Sequence, residues 1–210
     1  LRLNLTPDAR LTAVIDPSTG DQLTARGRAN ILVEMDPGGQ LTTTGNISLT
    51  EGSYFLNYQG LVKRTFNIQS GSTVYLPGDP LNSRFDITAR YTTEAPVYAL
   101  LEAQSISLDE SQTQAARRRQ PIIVLMNMEG TLSEPAISFE LEPGSELSGS
   151  IVEEVNRKFN ALDQTELNKQ VFGLLLFNSF LTSSGGGSLA TTGENIALSS
   201  VSNLLSNQLN

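Results

Sequence analysis

Apolar and polar residues alternate over most of the first two thirds of the chain. In residues 23–35 every second position is apolar or small, and the positions between them are mostly polar or charged. A period of two is typical of a β-strand with one face buried. At about 3.3 Å per residue the segment would span roughly 40 Å, longer than a usual strand. The pattern therefore predicts a long amphipathic strand.

Turn residues connect this strand to others of the same kind. Asp36, Pro37 and Gly39 suit a turn, because proline fixes φ and glycine accepts positive φ. A strand at residues 41–50 follows directly, so a hairpin is predicted. Further strands are predicted at 54–58, 62–68, 74–76, 81–92, 95–101, 122–128 and 136–141. The resulting antiparallel sheet has one charged and one apolar face, and the apolar face must meet a second sheet, helices or a ligand.

From about residue 150 the spacing of apolar residues becomes helical. Ser150 with Glu153, and Asp163 with Glu166, match the capping-box pattern, which predicts helices at 151–161 and 164–181. A Gly/Ser-rich linker at 183–188 precedes a third amphipathic stretch at 194–209. The predicted fold is mainly β: a long curved antiparallel sheet over residues 1–145, then a segment of C-terminal α-helices over residues 146–210.

The amino-acid composition excludes most kinds of enzyme catalysis. The 210 residues include no His, no Cys and no Trp, so the commonest metal ligand and every thiolate nucleophile are missing. Carboxylates remain, but they fall mostly in turns or on the polar strand face, where solvated charge is the usual state. We expect a protein that is not an enzyme, with no catalytic residue, no metal and no cofactor.

Charge and hydropathy limit the classes of partner that the chain can bind. With 14 basic and 22 acidic residues the net charge is −8, which disfavours nucleic acid. The cluster Arg117, Arg118 and Arg119 lies in a polar stretch, 108–120, that we interpret as a solvated loop. The most apolar run, 171–181, is shorter than the roughly 20 residues of a membrane-spanning helix. No transmembrane span is predicted in this fragment.

The apolar sheet face has two interpretations from pattern alone. It could be the core of an ordinary β-sandwich or barrel closed around its own side chains. The long strands and the small residues Ala25, Gly27, Ala29 and Gly45 favour instead a curved sheet around a channel, because small inward residues leave room for a ligand.

A series of short motifs occurs in a definite order along residues 11–181. They are Asp16-Pro17 with Gly20-Asp21, Glu51-Gly52-x-Tyr54, Arg64-x-Phe66-x-Ile68, Gly71-Ser72, Gly78-Asp79-Pro80, Pro135-x-Ile137-x-Phe139 and Leu174-Leu-Leu-Phe-Asn178. Their order, more than any single motif, resembles the C-terminal domain of TamB-type translocation and assembly module proteins, in the AsmA-like superfamily of bridge-like lipid-transfer proteins.

The resemblance implies a β-taco, a sheet curled lengthwise into an open gutter with an apolar interior. It implies a periplasmic location, with the full-length protein anchored in the inner membrane and reaching the outer membrane. It also implies a TamA- or BamA-type outer-membrane barrel as partner, and a role in outer-membrane biogenesis.

Three hypotheses follow for the apolar face. In the first, it is a lipid conduit that carries phospholipid between the membranes, its groove lined by Ile31, Val33, Ile47, Leu49, Phe66, Ile68, Phe85, Ile87, Tyr91, Val124, Met126 and Phe139. In the second, the domain is a chaperone-like module that assists the insertion or secretion of outer-membrane β-barrel proteins such as autotransporters by strand addition. In the third, it is a closed sandwich domain without a groove.

Overall fold

The computed structural model describes residues 1–16, 20–58, 60–102, 109–131, 134–145 and 150–181. The strands are β1 (Arg2–Leu5), β2 (Arg10–Asp16), β3 (Asp21–Met35), β4 (Leu41–Tyr58), β5 (Val62–Ile68), β6 (Thr73–Gly78), β7 (Arg84–Pro96), β8 (Arg119–Thr131) and β9 (Pro135–Pro143). The helices are α1 (Tyr98–Glu102), α2 (Glu110–Arg117), α3 (Ser150–Asn160) and α4 (Gln164–Phe177), with a 3-10 turn at Pro80–Asn82.

All described strands belong to one antiparallel sheet. The strand order is β1-β3-β4-β5-β7-β8-β9, with β2 paired to β3, and β6 paired to both β4 and β7. Among the described strands, β9 does not pair with β1 or β2, so the sheet keeps two separate edges. The predicted fold class, mainly β with one large antiparallel sheet followed by C-terminal helices, is confirmed. The described residues form no second sheet of the kind a sandwich requires.

The β3–β4 hairpin is the largest unit of the sheet. Its turn is held by Asp36, whose carbonyl accepts from the Gly39 amide at 3.0 Å and whose carboxylate accepts from the Gln40 amide at 2.9 Å. The two strands predicted at 41–50 and 54–58 are in fact one strand. A bulge joins them, because Gly27 pairs with Leu49 while Arg26 pairs with Glu51, leaving Thr50 as the extra residue.

The strand predicted at 81–92 starts later than the alternation indicated. Residues 80–82 form a 3-10 turn instead, in which the carboxylate of Asp79 accepts from the Leu81 amide and from the Asn82 side-chain amide, each at 3.0 Å. Leu81 is consequently exposed rather than aligned with Phe85. This local side-chain capping outweighs the alternation at the first positions of the predicted strand, and β7 continues the alternation from Arg84.

Two helices occupy a region predicted as strand and loop. The strand predicted at 95–101 is wrong, since β7 ends at Pro96 and α1 follows. The loop interpretation of 108–120 is also wrong. Asp109 accepts from the Gln112 amide, and the Gln112 side chain accepts from the Asp109 amide, which starts α2 with a complete capping box.

The basic cluster is divided between these elements. Arg117 ends α2 with its guanidinium 4.5 Å from the centre of the Tyr98 ring. Arg118 caps the helix, and Arg119 opens β8 and donates to the Glu94 carbonyl at 2.7 Å. The cluster is therefore ordered by local contacts rather than forming a solvated loop.

The C-terminal helices pack onto the sheet. Asp163 caps α4 by accepting from the Glu166 amide at 2.9 Å, as the sequence predicted. Ile151, Val155, Leu174 and Leu175 are buried in the same core cluster as Phe66 and other sheet residues. The linker at 183–188 and the stretch at 194–209 lie outside the described residues. The division into domains at 145/146 stays a prediction.

Candidate apolar binding face

One face of the sheet, here called the inner face, is a continuous apolar surface. The register aligns Ala25, Gly52, Ile68, Ala89, Met126 and Phe139 in one row across six strands. A parallel row contains Leu23, Tyr54 and Phe66, and continues through Tyr91, Val124 and Leu141. Phe66 and Tyr91 connect its two halves, with ring centres 5.5 Å apart. Cross-strand neighbours of this kind stabilise a sheet.

At one end the helices cover the inner face. α4 packs against β5, β7 and β9, and α3 packs against β9. Phe66, Val124 and Met126 are fully buried there. This end of the sheet has an ordinary two-layer core of sheet and helix, so its apolar side chains already have partners.

Towards the β3–β4 hairpin the inner face remains apolar but loses its cover. Ile31, Val33, Ile47, Leu76 and Phe85 are only half-buried. At the margins exposure is greater, reaching 70% for Met35 and 48% for Ile137. This second region, here called the open end, is an apolar surface without a second layer among the described residues. Contiguous exposed apolar surface of this kind commonly marks a binding site.

The twelve residues predicted to line a groove all lie on the inner face. Six of them are buried in the core: Leu49, Phe66, Ile68, Ile87, Val124 and Met126. The other six are half-buried: Ile31, Val33, Ile47, Phe85, Tyr91 and Phe139. Their role as a lipid-binding set stays a prediction, and the second group is the one a ligand could reach.

The opposite, outer face is polar. Arg26 and Glu51 form an ion pair of 2.9 Å across the hairpin, and Thr88 donates to Asn127 at 3.0 Å. Phe55 and Tyr75 are partly exposed aromatic residues on this face. The contrast between the faces means that an apolar ligand would select the inner one.

The predicted set also left out Arg64, a charged residue of the inner face. It pairs with Leu56 and alternates in phase with Val62 and Phe66, a phase that was readable from the sequence. Its guanidinium lies 5.9 Å from the centre of the Tyr91 ring and donates to the Lys63 carbonyl at 3.2 Å. A charged group on the apolar face is stabilised here by an aromatic ring.

Arg64 lies beside a separation between two strands. β5 and β7 form only two residue pairs, Asn67–Arg90 and Ile68–Ala89. Beyond these two pairs, no backbone hydrogen-bond ladder connects residues 62–66 of β5 with residues 91–96 of β7. We call this opening between the two strands the seam. The end of α4 lies against it on the inner side, where the Thr93 hydroxyl donates to the Asn178 side-chain carbonyl at 2.9 Å.

The described part of the chain has neither a metal-binding cluster nor a membrane-spanning helix. Within the described ranges no group of three or more His, Cys, Asp or Glu residues is arranged to hold a metal ion. No helix in those ranges is long and apolar enough to cross a membrane.

These features define a class: an open antiparallel β-sheet with one apolar face, covered by helices at one end only. The family model for the TamB C-terminal domain matches residues 1–210. The chain therefore belongs to the TamB family, a family of outer-membrane assembly proteins that act as non-enzymatic assembly and transport modules in the cell envelope. A TamB domain implies interaction with TamA-type partners. Neither a curated protein nor a solved structure matches the chain at a significant level.

Proposed function

We propose that the chain carries phospholipid along its inner face as the periplasmic part of a translocation and assembly module. Acyl chains lie on the apolar residues of the open end, while head groups stay in water near the sheet edge. Each methylene that leaves water contributes roughly 0.8 kcal/mol, so even partial burial of an acyl chain supports binding. No side chain needs to be catalytic.

The observation that carries this proposal is the continuation of the apolar face beyond its helical cover. Ile47, Phe85 and the residues around them have no described second layer, yet they are in phase with the buried core rows. A sheet that needed only a stable core would become polar where its cover ends. A ligand with flexible apolar chains matches a long, uncovered strip of this kind.

The test uses native mass spectrometry of the purified chain. The wild type is expected to retain phospholipid, and Phe85→Asp is expected to lose most of it, because a carboxylate on the strip opposes an acyl chain. Phe55→Asp is the matched control, since Phe55 is a partly exposed aromatic on the outer face, and it should retain lipid like the wild type. Circular dichroism checks that each variant is folded. Equal retention by a folded Phe85→Asp variant would contradict the proposal.

A second candidate function is the holding of nascent outer-membrane β-strands. β9 pairs with β8 along one edge, and no described strand pairs with its other edge. An extended peptide could add there by main-chain hydrogen bonds. If the purified chain retains unfolded barrel peptide and no lipid in the same measurement, this function replaces the first.

A further inference from the structure

The outer side of the seam forms a cleft with a composition unlike the apolar face. The cleft has a volume of about 560 Å³, and its lining includes Arg90, Thr92, Thr93, Glu94, Arg119 and Ser145. Two arginines and several hydroxyl groups therefore surround one water-accessible space. Guanidinium and hydroxyl groups together are typical of sites for phosphate oxygens.

Arg90 lines the cleft and has no hydrogen-bond partner among the described residues. It is half-buried, its Nε atom is out of contact with solvent, and that atom has no hydrogen-bond partner. No described residue accepts a hydrogen bond from its side chain or forms an ion pair with it. Because Nε is closed to solvent, an anion in the cleft would bond instead to the two terminal NH₂ groups of Arg90, which no described residue accepts from.

The backbone of β7 adds further donors. The Pro121 carbonyl points towards β9, where it accepts from the Gly144 amide. Glu94 and Pro121 are therefore a non-hydrogen-bonded pair of the β7–β8 ladder, and the backbone groups of Glu94 point away from β8. The amides of Thr92 and Glu94 are then directed towards the seam, where the β5 ladder has already ended. Arg119 is held at the same edge by its 2.7 Å bond to the Glu94 carbonyl.

From these contacts we propose that the cleft between Arg90 and Arg119 binds a phosphate group. Arg90 is the principal ligand, and Arg119 and the free amides of the β7 edge complete the site. The Glu94 carboxylate lines the same cleft and opposes the anion, which limits the affinity. Where the phosphate belongs to a lipid, the inference rests on the proposed function and places the head group at the seam instead of in water near the sheet edge.

The first experiment titrates inorganic phosphate into the ¹⁵N-labelled chain at constant ionic strength. The Arg90 side-chain N–H signals and the Thr92 and Glu94 amide signals are expected to move together, with chloride as the reference anion. Arg90→Gln should weaken phosphate binding about tenfold or more, as expected for losing a charged hydrogen-bond donor. Glu94→Gln should tighten binding, because it removes the opposing charge.

The matched control is Arg84→Gln. Arg84 lies in the same strand, six residues from Arg90 and roughly 20 Å away along an extended chain, and it should bind phosphate as the wild type does. Thermal unfolding of all variants separates binding from folding. A folded Arg90→Gln variant with unchanged phosphate affinity, or Arg90 signals that do not move at saturation, would overturn the site.

A second titration distinguishes the source of the phosphate. Dihexanoyl phosphatidic acid and dihexanoylglycerol differ only in the phosphate, so a lipid head-group site predicts a preference for the former that Arg90→Gln abolishes. If both lipids bind the inner face and Arg90→Gln leaves the preference unchanged, the cleft does not take a lipid head group while lipid carriage stands. If inorganic phosphate binds at Arg90 but neither lipid binds, the site stands for free phosphate and the proposed function fails.

Discussion

Gln170 is the most consequential single polar residue of the helical cover. It is 2% exposed, and its amide bonds both backbone groups of Leu181, accepting from the amide at 2.8 Å and donating to the carbonyl at 2.7 Å. Its Nε2 also donates to Glu166 at 2.6 Å. The side chain thereby folds the segment after α4 back along the helix, with Phe180 against Phe159.

Gln170→Leu should lower the free energy of unfolding by about 1–3 kcal/mol, because it leaves the Leu181 backbone groups without their buried partner. Chemical denaturation measures the difference. Gln164→Ala is the control, since Gln164 makes only an exposed hydrogen bond to Asn168, and its effect should stay within about 0.5 kcal/mol. Equal effects of the two changes would contradict the assigned role of Gln170.

The N-terminal cap of α2 gives a prediction about pH. The hydroxyl of Ser111 and the backbone amide of Gln112 donate to Asp109 and lower the pKa of its carboxyl group below the ordinary value of 3.8. The cap therefore contributes to stability above that value, and its contribution is lost as the pH falls through the lowered pKa. An NMR titration of the carboxyl carbon should show this midpoint.

Ser111→Ala should raise the pKa of Asp109 towards its ordinary value, because the largest cause of the lowering is removed. Thr113→Ala, in the same helix but outside the cap, should leave the midpoint unchanged. If the midpoint in Ser111→Ala equals that of the wild type, the hydroxyl is not the cause.

At the scale of elements, the bulge in β4 keeps the inner face continuous along an 18-residue strand. The bulge is followed by Gly52, whose backbone lies close to β3. A Cβ added at Gly52 would meet the Thr24 carbonyl oxygen at 2.5 Å and the Ala25 Cα at 2.8 Å. Only glycine permits this approach without movement of the backbone.

Gly52→Ala should destabilise the chain by about 1–3 kcal/mol, the usual range for forcing extra atoms into a packed position. Gly38→Ala is the control, because a Cβ there meets no backbone atom and only the Asp36 carboxylate, at 3.2 Å, which needs to shift by a few tenths of an ångström while keeping its bond to the Gln40 amide. Thermal unfolding compares the two variants. If Gly52→Ala is no less stable than Gly38→Ala, the close approach does not constrain the hairpin.

The sequence predicted elements well where one local signal acted alone. The period of two defined β5 at its observed bounds, and Asp36 and Gly39 identified the hairpin turn. It failed at residues 95–101, because a short apolar helix resembles a buried strand when periodicity is the only guide. The helix α2 carried a readable signal, Asp109 three residues before Gln112, that the interpretation as a loop passed over.

The sequence could predict which residues form the inner face, but not which of them are accessible to a ligand. All twelve predicted residues lie on the inner face because alternation fixes the face of a strand. Which of them are covered depends on where α3 and α4 pack, and that is decided by contacts between distant segments. The seam was not predictable for the same reason, since it depends on where the ladder between β5 and β7 ends.

At the scale of the whole molecule, the chain combines a two-layer end and a one-layer end in a single sheet. The first supplies the stable core, with Phe66, Met126 and Leu174 completely buried. The second leaves Ile47, Phe85 and others partly uncovered. On the proposed function this asymmetry separates stability from binding, so a substitution at the open end can alter lipid binding without unfolding the protein.

Site-specific photocrosslinking tests whether phospholipid lies on the inner face at the open end. A benzoylphenylalanine side chain replaces Phe85 or Ile137 on the inner face at the open end, and Phe55 or Tyr75 on the outer face as controls. We expect phospholipid adducts, identified by mass spectrometry, from the two inner positions and none above background from the two outer ones. Adducts that are absent from the inner positions, or equally abundant on both faces, would contradict the account.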